Sequence, residues 1–93
     1  MIESFRDKRT AAVFRDDLPK GFPADLARVA RRKLRLLDAA VRLDDLRTPP
    51  GNRLEALSGD RAWQHSIRVN DQWRVCFVWS DGNVRLVEIT DYH

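Results

Sequence analysis

Two hydrophobic periods divide this chain. Between residues 24 and 41 the apolar positions Leu26, Val29, Ala30, Leu34, Leu37, Ala40 and Val41 recur at helical spacing, with Arg28, Arg31, Arg32 and Arg35 off the stripe, which predicts an amphipathic helix. Beyond Thr48-Pro49-Pro50-Gly51 the pattern shortens toward alternation. Residues 53–57, 64–70, 73–79 and 84–90 read as strands, separated by Ser58-Gly59-Asp60, a turn near Asp71 and Asp81-Gly82-Asn83, so the second half is a β-meander. Before the long helix, residues 2–6 suggest a short strand and residues 8–15 a short helix with Ala11, Ala12 and Phe14 on its apolar face. Pro19, Gly21 and Pro23 then impose a loop. A further short helix is expected at residues 43–46.

Alternation also sorts the faces of the sheet. Ile67 and Val69 point one way and are joined by Trp73, Val75 and Phe77, forming the surface that the long helix covers. Keeping Val69 and Trp73 on one face demands an odd-numbered connection or a bulge around residues 70–72. The opposite face then carries Ser66, Arg68, Asn70 and Arg74, next to Cys76 and Val78, as an uncovered polar surface. The expected fold is α+β, with amino-terminal helices packed on one face of a mainly antiparallel, twisted sheet. Lys33 projects within the apolar arc of the helix, where it must snorkel or reach a partner.

Size and charge narrow the picture. Ninety-three residues make a single domain over 1–93 with one modest core, leaving no room for separate catalytic and regulatory domains. A hydrophobic content of 43% with 33% charged residues excludes a disordered chain. Lys plus Arg number 17 against 14 acids, and only Lys8, Lys20 and Lys33 are lysines. Arginine forks suit phosphate oxygens, so nucleic acid is one natural partner and an acidic protein another. The single Cys76 excludes an internal disulfide and a thiolate zinc cluster, and a reducing cytosol is the simplest compartment. With neither a secretory signal nor a run of transmembrane length, a soluble, cytoplasmic protein without a membrane role is expected.

Candidate chemistry sits at the end of the last strand, in Asp91-Tyr92-His93. A carboxylate, a phenol and an imidazole can run general acid-base chemistry, or they can form a polar tail that frays into solvent. Antiparallel pairing of the last two strands brings Arg74 to the same end, where both groups can converge on one phosphate. Metal-free RNA cleavage needs a base for the ribose 2′-hydroxyl, a cation for the phosphorane and an acid for the leaving oxygen. His93 or Asp91 can move protons, Arg74 can hold the phosphate, and Tyr92 can stack on a base or donate its hydroxyl. The competing reading of Arg74 is an ordinary surface ion pair. No Gly-rich phosphate loop, HExxH motif or spaced Cys/His set occurs. His65 alternates with core-facing positions and reads as a packed histidine. Trp63, Trp73 and Trp79 read as core or edge cover, and Cys76 has no neighbour to activate it.

Three blocks taken together, Arg53-Leu54-Glu55-Ala56-Leu57-Ser58-Gly59-Asp60-Arg61, then Ser66-Ile67-Arg68-Val69-Asn70-Asp71-Gln72-Trp73-Arg74-Val75-Cys76-Phe77, then Asp91-Tyr92-His93, closely resemble the HigB toxins of the RelE superfamily. The likeness extends to residues 2–5 and 34–40. It implies a RelE-like fold and a bacterial type II toxin that enters the ribosomal A site and cleaves messenger RNA by 2′-hydroxyl attack. It further implies neutralisation by a HigA-like helix-turn-helix antitoxin, contact with operator DNA only through that antitoxin, and no metal or organic cofactor. Carried over, the catalytic residues are Arg74, Asp91, Tyr92 and His93, with RNA contacts from Arg68, Asn70, Ser58, Arg61 and Lys33. Glu55 stands where a histidine can occur, and Ser58 where a lysine often precedes Gly-Asp, which removes a positive charge beside the scissile phosphate. Two other readings are a non-catalytic binding inhibitor of the gyrase-poisoning type and a degenerate toxin kept as an antitoxin-binding co-repressor.

Overall fold

A computed structural model describes residues 1–91. Helix α1 spans Lys8–Phe14 and α2 spans Ala24–Ala39, followed by short 3-10 segments at Leu43–Arg47, Pro50–Asn52 and Gly59–Arg61. The strands are β1 (Glu55–Ala56), β2 (His65–Arg68), β3 (Arg74–Ser80) and β4 (Asn83–Thr90), paired antiparallel in the order β1-β2-β3-β4. Asp7 caps α1 by accepting from the Thr10 amide at 2.7 Å. The buried stripe of α2, Leu26, Ala30, Leu34 and Leu37, meets Ile67, Val75, Phe77, Val84, Val87 and Ile89 of the sheet, with Val13 and Leu46 closing the core. This is the α+β architecture that the alternation predicts.

The predicted odd-numbered connection is present. The Val69 amide donates to the Trp73 carbonyl at 2.9 Å across the intervening residues 70–72, and Asn70 Oδ1 accepts from the Gln72 and Trp73 amides at 2.9 and 2.8 Å. Val69 and Trp73 therefore share the core face. β2 and β3 then run in register, with Arg68 opposite Arg74 and Ser66 opposite Cys76. His65 pairs with Phe77, their rings nearly parallel at 6.3 Å, as a packed histidine should be.

Four expectations need correction. The segment 2–6 forms isolated parallel bridges from Ile2 to Val84 and from Phe5 to Val87 instead of a strand. Between those bridges β4 bulges: Leu86 adopts φ 53°, and its amide turns to Ser4 Oγ at 3.0 Å, so no continuous ladder can form. Helix α2 stops at Ala39, because the Val41 and Arg42 amides donate to Asp45 Oδ2 at 3.0 and 2.9 Å, which draws the chain into the next turn and leaves Val41 exposed. Trp63 stays outside the core cluster. It is 51% exposed, with its indole N–H on the Asp60 carbonyl, whereas Trp73 and Trp79 pack against the core.

The fourth correction concerns the polar face of the sheet, which is not uncovered. Ser66 and Cys76 are as buried as the core. Glu55 and Glu88 stand at the two ends of the row that Ser66 and Cys76 share, paired with Arg74 and Arg61 respectively.

Candidate active site

Register builds the site. Arg74 lies opposite Thr90, so Asp91, the next residue, stands at the same end of the sheet, as antiparallel pairing requires. The Asp91 carboxylate accepts from Gln72 Nε2 at 3.1 Å. Tyr92 and His93 lie outside the described residues.

Arg74 is held rather than free. Its Nε donates to Ser66 Oγ at 2.8 Å and faces Glu55 Oε1 at 3.7 Å, and one terminal nitrogen, Nη2, donates to the Arg53 carbonyl at 2.7 Å. Arg53 supplies that carbonyl from a left-handed conformation, φ 46° and ψ 57°, so the backbone is bent toward the guanidinium. Among the described residues Nη1 has no hydrogen-bond partner. Among the described residues the fork is hydrogen-bonded on one side only, an arrangement that suits an anion-binding arginine. The competing reading, an ordinary surface pair, fits poorly with a side chain only 14% exposed.

Arg61 is the second oriented cation. It donates to Gln64 Oε1 at 2.9 Å and to Glu88 Oε1 at 3.0 Å, while the other oxygen of Glu88 faces Arg6 at 3.7 Å. Glu55, Ser58 and Arg61 line one shallow groove along β1. Arg68, beside Arg74 across the β2–β3 pair, forms an ion pair with Asp71 at the turn. Asn70 uses its side-chain oxygen to build that turn. Lys33 reaches the partner its position calls for: its ammonium donates to Asn52 Oδ1, and buried Asn52 in turn donates to the Leu46 and Thr48 carbonyls. Burial first, then the nearby Arg32 and Arg68, hold the Lys33 ammonium below the usual lysine range.

The expected set therefore divides. Arg74, Arg61 and Ser58 gather around the polar face, Asp91 lies at its end, Arg68 and Asn70 flank it, and Lys33 is tied to a structural asparagine. Glu88 and Gln64 belong to the same network and were not expected, and Glu55, noted in the sequence only as a departure from the family pattern, joins them as the partner of Arg74. Extending the face alternation to β1 and β4 would have revealed both acids, since Glu55 pairs with Ser66 and Glu88 with Cys76 in one row across the sheet. Among the described residues, no three His, Cys, Asp or Glu side chains gather as a metal would require, and no helix is long and apolar enough to cross a membrane.

Cys76, in the middle of that row, is not a nucleophile. Burial pushes its thiol up to about 11, outweighing the nearby Arg61. Because the folded value lies above the unfolded one, this group's contribution to stability is present below pH 9.0 and is lost as the pH rises toward 11. Iodoacetamide at pH 8 is accordingly expected to label Cys76 only after the chain unfolds. Rapid labelling of folded protein, followed by mass spectrometry, would show that the face is open.

Two helices lie on one face of a four-stranded antiparallel sheet, with oriented arginines on the other. The fold matches a crystal structure of an E. coli YafQ mutant with TM-score 0.60 at 14% identity, covering 99% of this chain and 92% of that one. The profile of the HigB-like toxins, described as the RelE-like toxin of type II toxin-antitoxin system HigB, matches residues 3–93, and the chain belongs to that family. It is 43% identical over 83 residues to Toxin HigB-1 of Vibrio cholerae, spanning 88% of this chain and 87% of the relative. It is 33% identical over 94 residues to Endoribonuclease HigB of Proteus vulgaris, spanning all of both. As the toxin of such a system, it has an antitoxin for a partner.

Proposed function

We propose that this toxin is a metal-independent endoribonuclease that cuts messenger RNA in the ribosomal A site by attack of the ribose 2′-hydroxyl on the adjacent phosphate. The observation that carries this reading is Arg74, fixed through Ser66 and Arg53, with no hydrogen bond on Nη1 among the described residues and with Asp91 at the same end of the sheet. In that geometry the Nη1 edge holds a nonbridging phosphate oxygen and stabilises the charge that builds in the phosphorane. Asp91 and His93 take and return the protons, and Tyr92 stacks on a base or donates its hydroxyl. Arg61 and Ser58 extend the contact along the β1 groove, and Arg68, Asn70 and Lys33 flank it. The Proteus vulgaris relative, named an endoribonuclease over a full-length match, supports the chemistry. The partner is a HigA-like helix-turn-helix antitoxin that alone touches operator DNA, and the toxin works in the cytoplasm.

Mapping RNA 5′ ends after expression of the toxin tests this reading. Fragments beginning with a 5′-hydroxyl at A-site positions are the expected product. Equal cutting of ribosome-free RNA, or 5′-phosphate ends, would refute the mechanism. Glu55 gives a subtler readout, because its carboxylate competes with phosphate for Arg74. An exposed ion pair is worth about 0.2–1 kcal/mol, so Glu55→Gln should lower KM by about 1.4- to fivefold and leave kcat unchanged. A fall in kcat instead, measured in steady-state cleavage, would make Glu55 a proton carrier.

A further inference from the structure

A second cationic feature stands where the α1–α2 loop meets the β2–β3 turn. The guanidinium of Arg9 lies 5.3 Å from the ring centre of Phe22 and 5.8 Å from that of Trp73, both within the reach of cation–π attraction. Its one hydrogen bond among the described residues is a long contact from Nη2 to the Ile89 carbonyl at 3.4 Å. Lys20 lines the same small pocket, with Leu26 at its base. Among the described residues neither cation has a carboxylate partner, whereas Arg6, Arg28, Arg61, Arg68 and Arg74 all do. Phe22 is buried, so the partly exposed Trp73 is the wall left for a ligand. Two uncompensated cations beside an accessible indole suit a ligand that is both flat and anionic.

The pocket is joined to the catalytic end by three consecutive residues. Gln72 holds Asp91, Trp73 walls the pocket, and Arg74 points to the other face, because successive strand residues point to opposite sides. Arg9 touches the carbonyl of Ile89, adjacent to Thr90. We propose that this pocket is a second nucleotide subsite, which stacks a base on Trp73 and holds a neighbouring phosphate with Arg9 and Lys20 as single-stranded RNA passes around the end of the sheet. The inference rests on the reading of Arg74 as the phosphate holder. An acidic protein segment would satisfy the cations but would not use the indole or the continuity with Arg74, so RNA is favoured.

The test is an NMR titration of the isotopically labelled toxin with a single-stranded hexaribonucleotide carrying 2′-O-methyl groups, which has no attacking hydroxyl. The Trp73 indole N–H and the Arg9 Nε–H should shift together with the Arg74 and Thr90 amides and saturate at a common concentration. Each phosphate contact contributes about 0.7 to the log–log salt dependence of single-strand binding, so Arg9→Gln with Lys20→Gln should reduce that slope by about 1.4. Should the double variant not fold, Lys20→Gln alone should reduce it by about 0.7. Arg9→Lys with Lys20→Arg should retain the slope, which a purely packing role for Arg9 would not require. Shifts confined to the Arg74 side, with an unchanged slope in the double variant, would reduce the pocket to a staple for α1 and overturn the inference while leaving the proposed function intact. No shift on either side would also overturn the inference, and would leave ribosome-dependent cleavage to be decided by the 5′-end mapping. A loss of antitoxin affinity with unchanged RNA binding would assign the pocket to a protein partner, again against the inference.

Discussion

Arg74→Ala should reduce RNA cleavage by at least about a hundredfold in a chain that still folds. Removing one oriented donor from a site that stabilises developing negative charge typically costs about 10²–10³ in rate, and among the described residues Arg74 is the oriented cation whose register places it beside Asp91. The structural cost is smaller. Ser66 Oγ and the Arg53 carbonyl each lose one hydrogen bond, about 1 kcal/mol apiece, and Glu55, half exposed, is rehydrated. Arg74→Lys separates charge from shape, since an ammonium cannot bond Ser66 and Arg53 on one side while offering phosphate a fixed edge on the other. It should recover only part of the rate. Single-turnover cleavage alongside thermal melting checks both variants. A folded Arg74→Ala protein that cuts within about threefold of the parent, far short of the loss expected for an oriented donor, would remove Arg74 from the site.

Truncation after Thr90 should abolish cleavage and growth arrest while leaving the fold and antitoxin capture largely intact. Thr90 is the last residue of the β3–β4 ladder, and Ile89 just before it is anchored from α1, its amide donating to Thr10 Oγ1 at 3.0 Å. The strand is therefore pinned upstream of the cut, and the hydrogen bond that Asp91 accepts from Gln72 lies at the surface. What disappears is the set of groups to which the proposed mechanism assigns proton transfer, and general acid-base catalysis alone is worth about 10²–10⁴. A non-catalytic inhibitor would keep its toxicity after the same cut, and an antitoxin-binding co-repressor would have had none to lose. Growth assays on induction, circular dichroism and affinity capture by the antitoxin separate these cases.

Local pattern was enough to place Arg74 and Asp91 at one end of the sheet. Helical spacing located α2, alternation assigned Val69, Val75 and Phe77 to its side, and the parity of residues 70–72 followed from keeping Trp73 with them. What local pattern could not show was the burial of Ser66 and Cys76 on the polar face. Ser66 and Cys76 are polar or small, so alternation read their face as open. Both are buried in a row flanked by Glu55 and Glu88, acids distant in sequence from the arginines they pair with. Lys33 was legible as an anomaly, but its partner Asn52 sits in a turn with no periodic signal. The end of α2 at Ala39 and the bridging of Ile2 and Phe5 depend on an Asp45 cap and a Leu86 bulge, features of tertiary structure that a hydrophobic stripe does not encode.

The bulge at Leu86 has a consequence for tolerance to change. By adding one residue opposite Phe77 it shifts the phase of β4, so that Val84 and Val87 both face the core and Glu88 and Thr90 face the polar side. The Asp81–Gly82 hairpin beyond it is tied to the amino terminus, the Met1 ammonium donating to the Gly82 carbonyl at 3.1 Å. Deleting the single residue at the bulge would place Phe77 opposite Val87 in an unbroken ladder, with Glu88 still on the polar side and Ile89 still in the core, so β4 should tolerate that loss.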